Sequence, residues 1–241
     1  MTGYANPDYN SLQFAGHDAE SLAEALEAQK GGLYSDVQTR LVADATQHNV
    51  FAGLDWLRHV ATGRDLAIVF LAGHGFLDGK QKFWFLTREA DTEQLRTTAI
   101  SSEDLLDAIT SVPGKKILLI DACHAGAAMV ASRAVDTDPD MNKVVNDFST
   151  AGSGLIVYGA STGTERAKED ANWDRHGAFT KALIEAIGEG KAALDPSGRI
   201  TTDMLDFYIE EHVKAMTGGA QHPVMNRPVV IPDFPLALAK P

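Results

Sequence analysis

The sequence predicts an α/β fold, a mostly parallel sheet between two layers of helices. Three observations carry this. First, three short runs, 65–75 (DLAIVFLAGHG), 115–123 (KKILLIDAC) and 154–162 (GLIVYGAST), are continuously apolar at their centres, as strands buried on both faces of a parallel sheet are. Second, the segments around them space their apolar residues at helical intervals. Third, the two kinds of segment alternate along the chain, the order that gives a parallel sheet with helices on both faces.

Residues 18–29 (DAESLAEALEAQ) put Leu22 and Leu26 one turn apart, with acids early and Gly31 and Gly32 as a stop. Residues 37–44 (VQTRLVAD) read as a strand. Residues 46–61 read as a helix, with Val50, Leu54 and Leu57 on one face. The aromatic stretch 80–91 (KQKFWFLTREAD) has the extended character of a hairpin. The helix predicted over 101–112 opens on a capping pattern, Ser101 followed by Asp104, and stops at Pro113 and Gly114. Residues 127–154 are polar and turn-rich and read as a long loop. Helices follow over 177–190 and 201–216. The tail from Gln221 carries five prolines and reads as extended, with at most one short strand. No internal repeat or low-complexity segment interrupts the pattern.

The 241 residues fit one large domain or two small ones and are enough for a full core. With 21 basic against 33 acidic residues, the net charge of −12 argues against a nucleic-acid or anionic-membrane footprint, which needs a basic patch. It suits basic peptide partners. A single cysteine forms no internal disulfide, so cytoplasm is the default compartment. The opening MTGYANPDYN has neither the charged nor the apolar region of a signal peptide, and no apolar run approaches the length of a membrane span.

Sites in parallel α/β sheets lie at the carboxyl ends of strands. His74 ends one buried run and Cys123, the only thiol, ends another. A nearby imidazole lowers a thiol's pKa and can later protonate a leaving amine. Alone, a cysteine at a strand end is a small buried hydrophobe and a histidine there a loop or core residue. The pair, with the histidine 49 residues upstream, matches a known nucleophile–base spacing. His124 adjoins Cys123, but chain neighbours diverge in direction, which leaves His74 the better base.

The segments FLAGHG (70–75) and DACHAG (121–126), with LQFAGHDAESLAEAL (12–26), GASTGTERAKED (159–170) and HGAFTKALIEA (176–186), resemble the caspase-like cysteine peptidases, specifically the prokaryotic metacaspase-like (orthocaspase) branch. The resemblance covers nearly the whole chain. It implies a caspase-like three-layer α/β/α sandwich: one domain over 1–241, with a half over 1–126, a linker over 127–153 and a second half over 154–241. It implies a cysteine endopeptidase with Cys123 as nucleophile and His74 as general acid and base. The backbone N–H groups of Gly75 and Cys123 would form the oxyanion hole, with no third catalytic carboxylate. A glycine after the histidine fits a place where backbone approaches substrate closely. Relatives that cut after aspartate carry glutamine where Asp121 stands. Asp18 matches an acidic position used in the same pocket, and two carboxylates facing one cleft favour arginine, then lysine, over aspartate before the scissile bond. No cofactor is required, although some members of the branch need calcium. The chain departs from the pattern in one respect. Only Met1, Thr2 and Gly3 precede Tyr4, where the family's sheet begins with an apolar strand. The expectation is a gap beside the catalytic strand, open to an upstream segment or a partner chain.

Several assignments have plainer alternatives. Asp121 can simply cap its strand, and Asp18 can be an ordinary acid in the first turn of a helix. Trp173 can wall the substrate groove, with Ser161, or cover the core. Arg133 and Lys143, the basic residues of the predicted loop, are candidate self-cleavage sites. Asp136, Asp138 and Asp140 alternate as calcium ligands might, but lack the glycine turn and closing glutamate of an EF-hand. No Cys/His cluster has zinc spacing. Two other functions compete: a catalytically silent interaction domain of the same fold, and a Cys-His amidotransferase, whose histidine follows its cysteine in the chain.

Overall fold

The computed structural model describes residues 1–7, 9, 11–80, 82–124, 141–149, 154–162, 165 and 167–239, with Cys123, His124 and Ser149 described as backbone only. A six-stranded sheet lies at its centre. The strand β1 (Leu66–Leu77) runs parallel to β4 (Lys115–His124), which runs parallel to β5 (Leu155–Gly159). Three short strands are added antiparallel: β2 (Phe83–Leu86) beside the end of β1, β3 (Ala99–Ser101) beside β2, and β9 (Val224–Asn226) beside β5. The order across the sheet is β3-β2-β1-β4-β5-β9. Two small ladders lie outside it, β6 (Glu169–Asp170) with β7 (His176–Gly177), and β8 (Arg199–Thr201) with β10 (Pro235–Leu238).

Strands β4 and β5 are buried on both faces because each face carries a helix layer, while Leu66, Ile68, Val69 and Phe70 of β1 are only half-buried. Side chains alternate across a strand. Ile117 and Leu119 of β4, with Ile156 and Tyr158 of β5, enter one core with α1 (Ala15–Glu27), α6 (Ala178–Ile187) and α7 (Thr202–Met216). Leu118, Ile120 and Ala122, with Leu155 and Val157, enter a second core with α2 (Gln47–Val60), α4 (Ser102–Thr110) and α5 (Met141–Ser149). The three-layer α/β/α sandwich is thus present. The capping pattern holds: Ser101 Oγ accepts the Asp104 N–H at 3.1 Å and donates to the Asp104 carboxylate at 2.6 Å.

Three expectations need correction. Residues 36–42 form no regular secondary structure and belong to no ladder, so the predicted strand is absent. The predicted loop contains α5, whose Val144, Val145 and Phe148 are buried in the second core, so hydrophobic packing outweighs the local polar pattern. The proline-rich tail forms two short strands, β9 and β10, both at sheet edges, where proline is tolerated. The short helix α3 (Leu95–Thr98) leads into β3. Among the described residues no helix is long and apolar enough to cross a membrane.

Candidate active site

The parallel register of β1 and β4 places His74 directly opposite Cys123, one strand spacing away, at the carboxyl ends of the two strands. Gly75 is opposite His124 on one side and Phe85 on the other. His74 is buried at 3 % exposure. Its backbone N–H donates to the Tyr4 hydroxyl at 2.9 Å, and its ring stacks on the Tyr4 ring at 5.0 Å and 25°. Tyr9 meets Tyr4 edge-on at 5.6 Å. The histidine is therefore fixed from behind by an aromatic pair 70 residues upstream.

The two glycines flanking His74 have a packing reason. A Cβ on Gly73 would lie 2.7 Å from the Phe85 ring, and one on Gly75 would lie 2.5 Å from the Phe83 ring. Two aromatic residues of β2 thus press against the backbone on either side of the histidine, a constraint beyond any close approach of substrate.

Asp18 and Asp121, far apart in sequence, converge. A Cβ on Gly177 would be 3.1 Å from Asp121 Oδ2 and 3.5 Å from Asp18 Oδ2, so the bare Gly177 backbone is what leaves room for both carboxylates. Asp121 is at 7 % and Asp18 at 2 % exposure. The Thr180 hydroxyl donates to Asp121 Oδ2 at 2.7 Å. Asp18 Oδ1 is 2.7 Å from His176 Nδ1, and the Gly177 N–H donates to both Asp18 oxygens at 3.3 and 3.4 Å. His176 stacks on His17 at 4.4 Å. Burial, and for Asp18 the neighbouring Asp121 charge, hold both carboxyls above the ordinary range. Burial also raises Glu169, which accepts the Gln13 N–H, and pulls His176 down to about 4. Three carboxyl groups, those of Asp18, Asp121 and Glu169, are thus gathered on the side of the sheet where His74 and Cys123 stand at the strand ends.

Several of these residues have definite partners. Asp18 is an acid in the first turn of α1, but it points across to β7 and does more than offset a helix dipole. Asp121 does not cap its strand; its oxygen is taken by a side chain of α6. Ser161 is fully buried and donates to the Glu165 carbonyl at 3.0 Å, so it belongs to its own turn and not to a groove. Trp173 ends a short 3₁₀ turn and packs, half-buried, against the first core. Lys143 stands on α5, paired with Asp147. Arg133, Asp136, Asp138 and Asp140 lie outside the described residues. Among the described residues no group of three His, Cys, Asp or Glu is arranged to hold a metal ion.

Tyr4, His176, Thr180 and Glu169 escape a reading of the sequence. The first stands in a polar lead-in with no periodicity. The others reach the site through distant packing: β7 packs against α1 and α6, and Thr180 at the start of α6 bonds to Asp121 of β4.

Comparison with known proteins agrees with this architecture. The family model for the caspase domain of C14 peptidases matches residues 4–231. Among solved structures, caspase-1 from Spodoptera frugiperda superposes with a TM-score of 0.61 at 13 % identity, over 93 % of this chain and 84 % of the other. Protein GSU0716 from Geobacter sulfurreducens gives 0.57 at 13 % identity, over 87 % and 82 %. At such identities the structures speak for the fold alone. No curated protein sequence matches the chain. A family model that spans almost the whole sequence, together with the fold that carries His74 and Cys123 on adjacent strands, shows that the chain belongs to the caspase-domain family of cysteine peptidases.

Proposed function

We propose that the chain is a cytoplasmic cysteine endopeptidase of the metacaspase-like branch, cleaving after arginine and, less well, after lysine, with Cys123 as nucleophile and His74 as general acid and base. The observation that supports it most is the His74–Cys123 register, together with the meeting of Asp18 and Asp121. In this reading His74 takes the thiol proton and the thiolate attacks the scissile carbonyl. The N–H groups of Gly75 and Cys123 meet the oxyanion. His74 returns the proton to the leaving amine, and water then hydrolyses the thioester with His74 as base.

An arginine side chain before the scissile bond joins these carboxylates and supplies the cation that they lack; its planar fork suits two carboxylates better than a lysine ammonium does. An aspartate would add a further desolvated negative charge. The test is a set of fluorogenic peptides differing only in that residue, run with and without calcium. Arginine should be turned over best, lysine next and aspartate not at all. Cys123→Ala and His74→Ala should each lower kcat by about a thousandfold or more with the circular dichroism spectrum unchanged. His124→Ala should keep substantial activity. Efficient cleavage after aspartate would sink the pocket assignment. A chain that neither turns over any peptide nor is alkylated at Cys123 by an arginyl chloromethyl ketone would be a silent interaction domain instead.

A further inference from the structure

Gln221 is fully buried between α7 and β9, and both ends of its side-chain amide are used. Its Nε2 donates to the Ala160 carbonyl at 2.8 Å, and its Oε1 accepts the Lys168 N–H at 2.9 Å. Its own backbone N–H donates to Thr217 Oγ1 at 3.1 Å, which fixes where the side chain starts. A buried amide is costly unless its polar ends are bonded, so a residue that only filled this space would be apolar. Here a carbonyl needs a donor and an N–H needs an acceptor, and one planar amide supplies both.

The two backbone groups it joins lead to the two sides of the carboxyl cluster. Ala160 follows β5, and its N–H donates to the Ile120 carbonyl at 2.9 Å, so it is tied to β4 one residue before Asp121. Lys168 precedes β6, and its carbonyl accepts the N–H of Ala178 at 2.9 Å. Ala178 opens α6, the helix that carries Thr180. Beyond Lys168 the β6/β7 ladder pairs Glu169 with Gly177 and Asp170 with His176. Asp121 is thus set by the sheet, while Asp18 is held by His176 and the Gly177 N–H of the ladder. Gln221 bridges the sheet to the ladder. The tail that delivers it is itself fixed, since β9 pairs with β5 and His222 meets the Glu165 carboxylate through its N–H at 2.7 Å and Nδ1 at 2.8 Å.

We infer that Gln221 is a positioning residue for arginine recognition: its amide sets how far the Asp121 carboxylate stands from those of Asp18 and Glu169, and so how well a planar guanidinium fits among them. This rests on the proposed cleavage after arginine and adds to it a residue that touches no substrate. His74 and Cys123 are held by the β1–β4 register, which does not involve Gln221. The effect therefore falls on binding and not on the nucleophile.

Two variants test this. Gln221→Met keeps the bulk and loses both bonds; it should raise KM for an arginine peptide by about tenfold, leave kcat within about twofold, and leave alkylation of Cys123 by iodoacetamide unchanged. Gln221→Glu keeps the shape. Protonated, it donates to Ala160 and restores both bonds; ionised, it only accepts. Since burial favours the protonated form, its KM should be within about twofold of wild type at about pH 5 and about tenfold higher at about pH 8. That rescue within one variant decides the matter even if Gln221→Met does not fold. A third measurement needs no peptidase activity. The stability contributed by Asp18 and Asp121, whose folded carboxyls are raised, is lost as pH rises. Carboxyls free to part lose less, so the Tm deficit of Gln221→Met against wild type should shrink by about 2 °C from about pH 5 to about pH 9. If wild type cleaves no arginine peptide, the proposed specificity fails, and this Tm difference still decides the role of Gln221. A deficit constant with pH would overturn the inference. So would an unchanged KM in both variants, or equal losses of turnover and of Cys123 alkylation, which would make Gln221 a general support of the fold.

Discussion

Asp18 and Asp121 bond to Thr180, His176 and the Gly177 N–H, a set of partners that leaves their combined charge poorly compensated. Because the fold favours their protonated forms, what the pair contributes to stability is fully present below the unfolded carboxylate range. It is lost as pH rises through the raised folded range. Asp18→Asn should therefore lose less Tm than wild type between about pH 5 and pH 9, with a gain of about 2–4 °C at the alkaline end. The same variant should lower arginine-peptide turnover by about tenfold or more, since one arm of the proposed cation site is gone. In wild type, KM for an arginine peptide should fall as pH rises over that range, while KM for a peptide with a neutral residue there stays level; parallel profiles would separate the carboxylates from the pocket. Tyr4 is a positioning residue for His74. Tyr4→Phe keeps the ring stack and loses the hydrogen bond from the His74 N–H, worth about 0.5–1.5 kcal/mol. Tyr4→Ala loses both, and should lower kcat by about tenfold with little change in KM, with most of the loss rescued in Tyr4→Phe. Equal losses in the two variants would make the hydrogen bond, not the stack, the holding contact.

Where the sequence pattern was local, it read well at the scale of elements. The runs that became β1, β4 and β5, the Ser101 cap and the apolar stripes of α6 and α7 are all fixed by neighbours within one or two turns. It failed where an element depends on something distant. Helix α5 carries asparagines, an aspartate and a lysine, yet Val144, Val145 and Phe148 dock on the second core. This bears on self-cleavage. A peptidase cleft takes extended backbone, so a cut after Lys143 would require α5 to unwind and those three side chains to leave the core. Wild-type protein incubated alone should show any new termini after Arg133 and not after Lys143, and none in Cys123→Ala, when analysed by intact mass spectrometry. Termini after Lys143 would mean that α5 opens readily.

Across the whole molecule, two cores lie on opposite faces of one sheet. The strand that bears His74 is paired with β4 from Leu66 to Gly75, and its residues 66–72 line a cavity. Its carboxyl end, at His74, is steadied separately, by β2 at Gly75–Leu77 and by Tyr4. Three acids gather near the carboxyl ends of β1 and β4: Asp18 and Asp121, which are buried, and Glu169, which is half-buried.

The sequence by itself determined the alternation of strands and helices and the two segments that carry His74 and Cys123, because these reside in contiguous residue types and spacings. Only the tertiary structure decided that His74 faces Cys123 in register, that Asp18 meets Asp121 at a glycine, and that residues 36–42 stay out of the sheet. The physical reason is the same in each case. A pattern of neighbours sets the local backbone and the buried face. Which distant backbone pairs with it, and whether a partner strand is there to pair, depends on long-range hydrogen bonds and packing that no window of sequence contains.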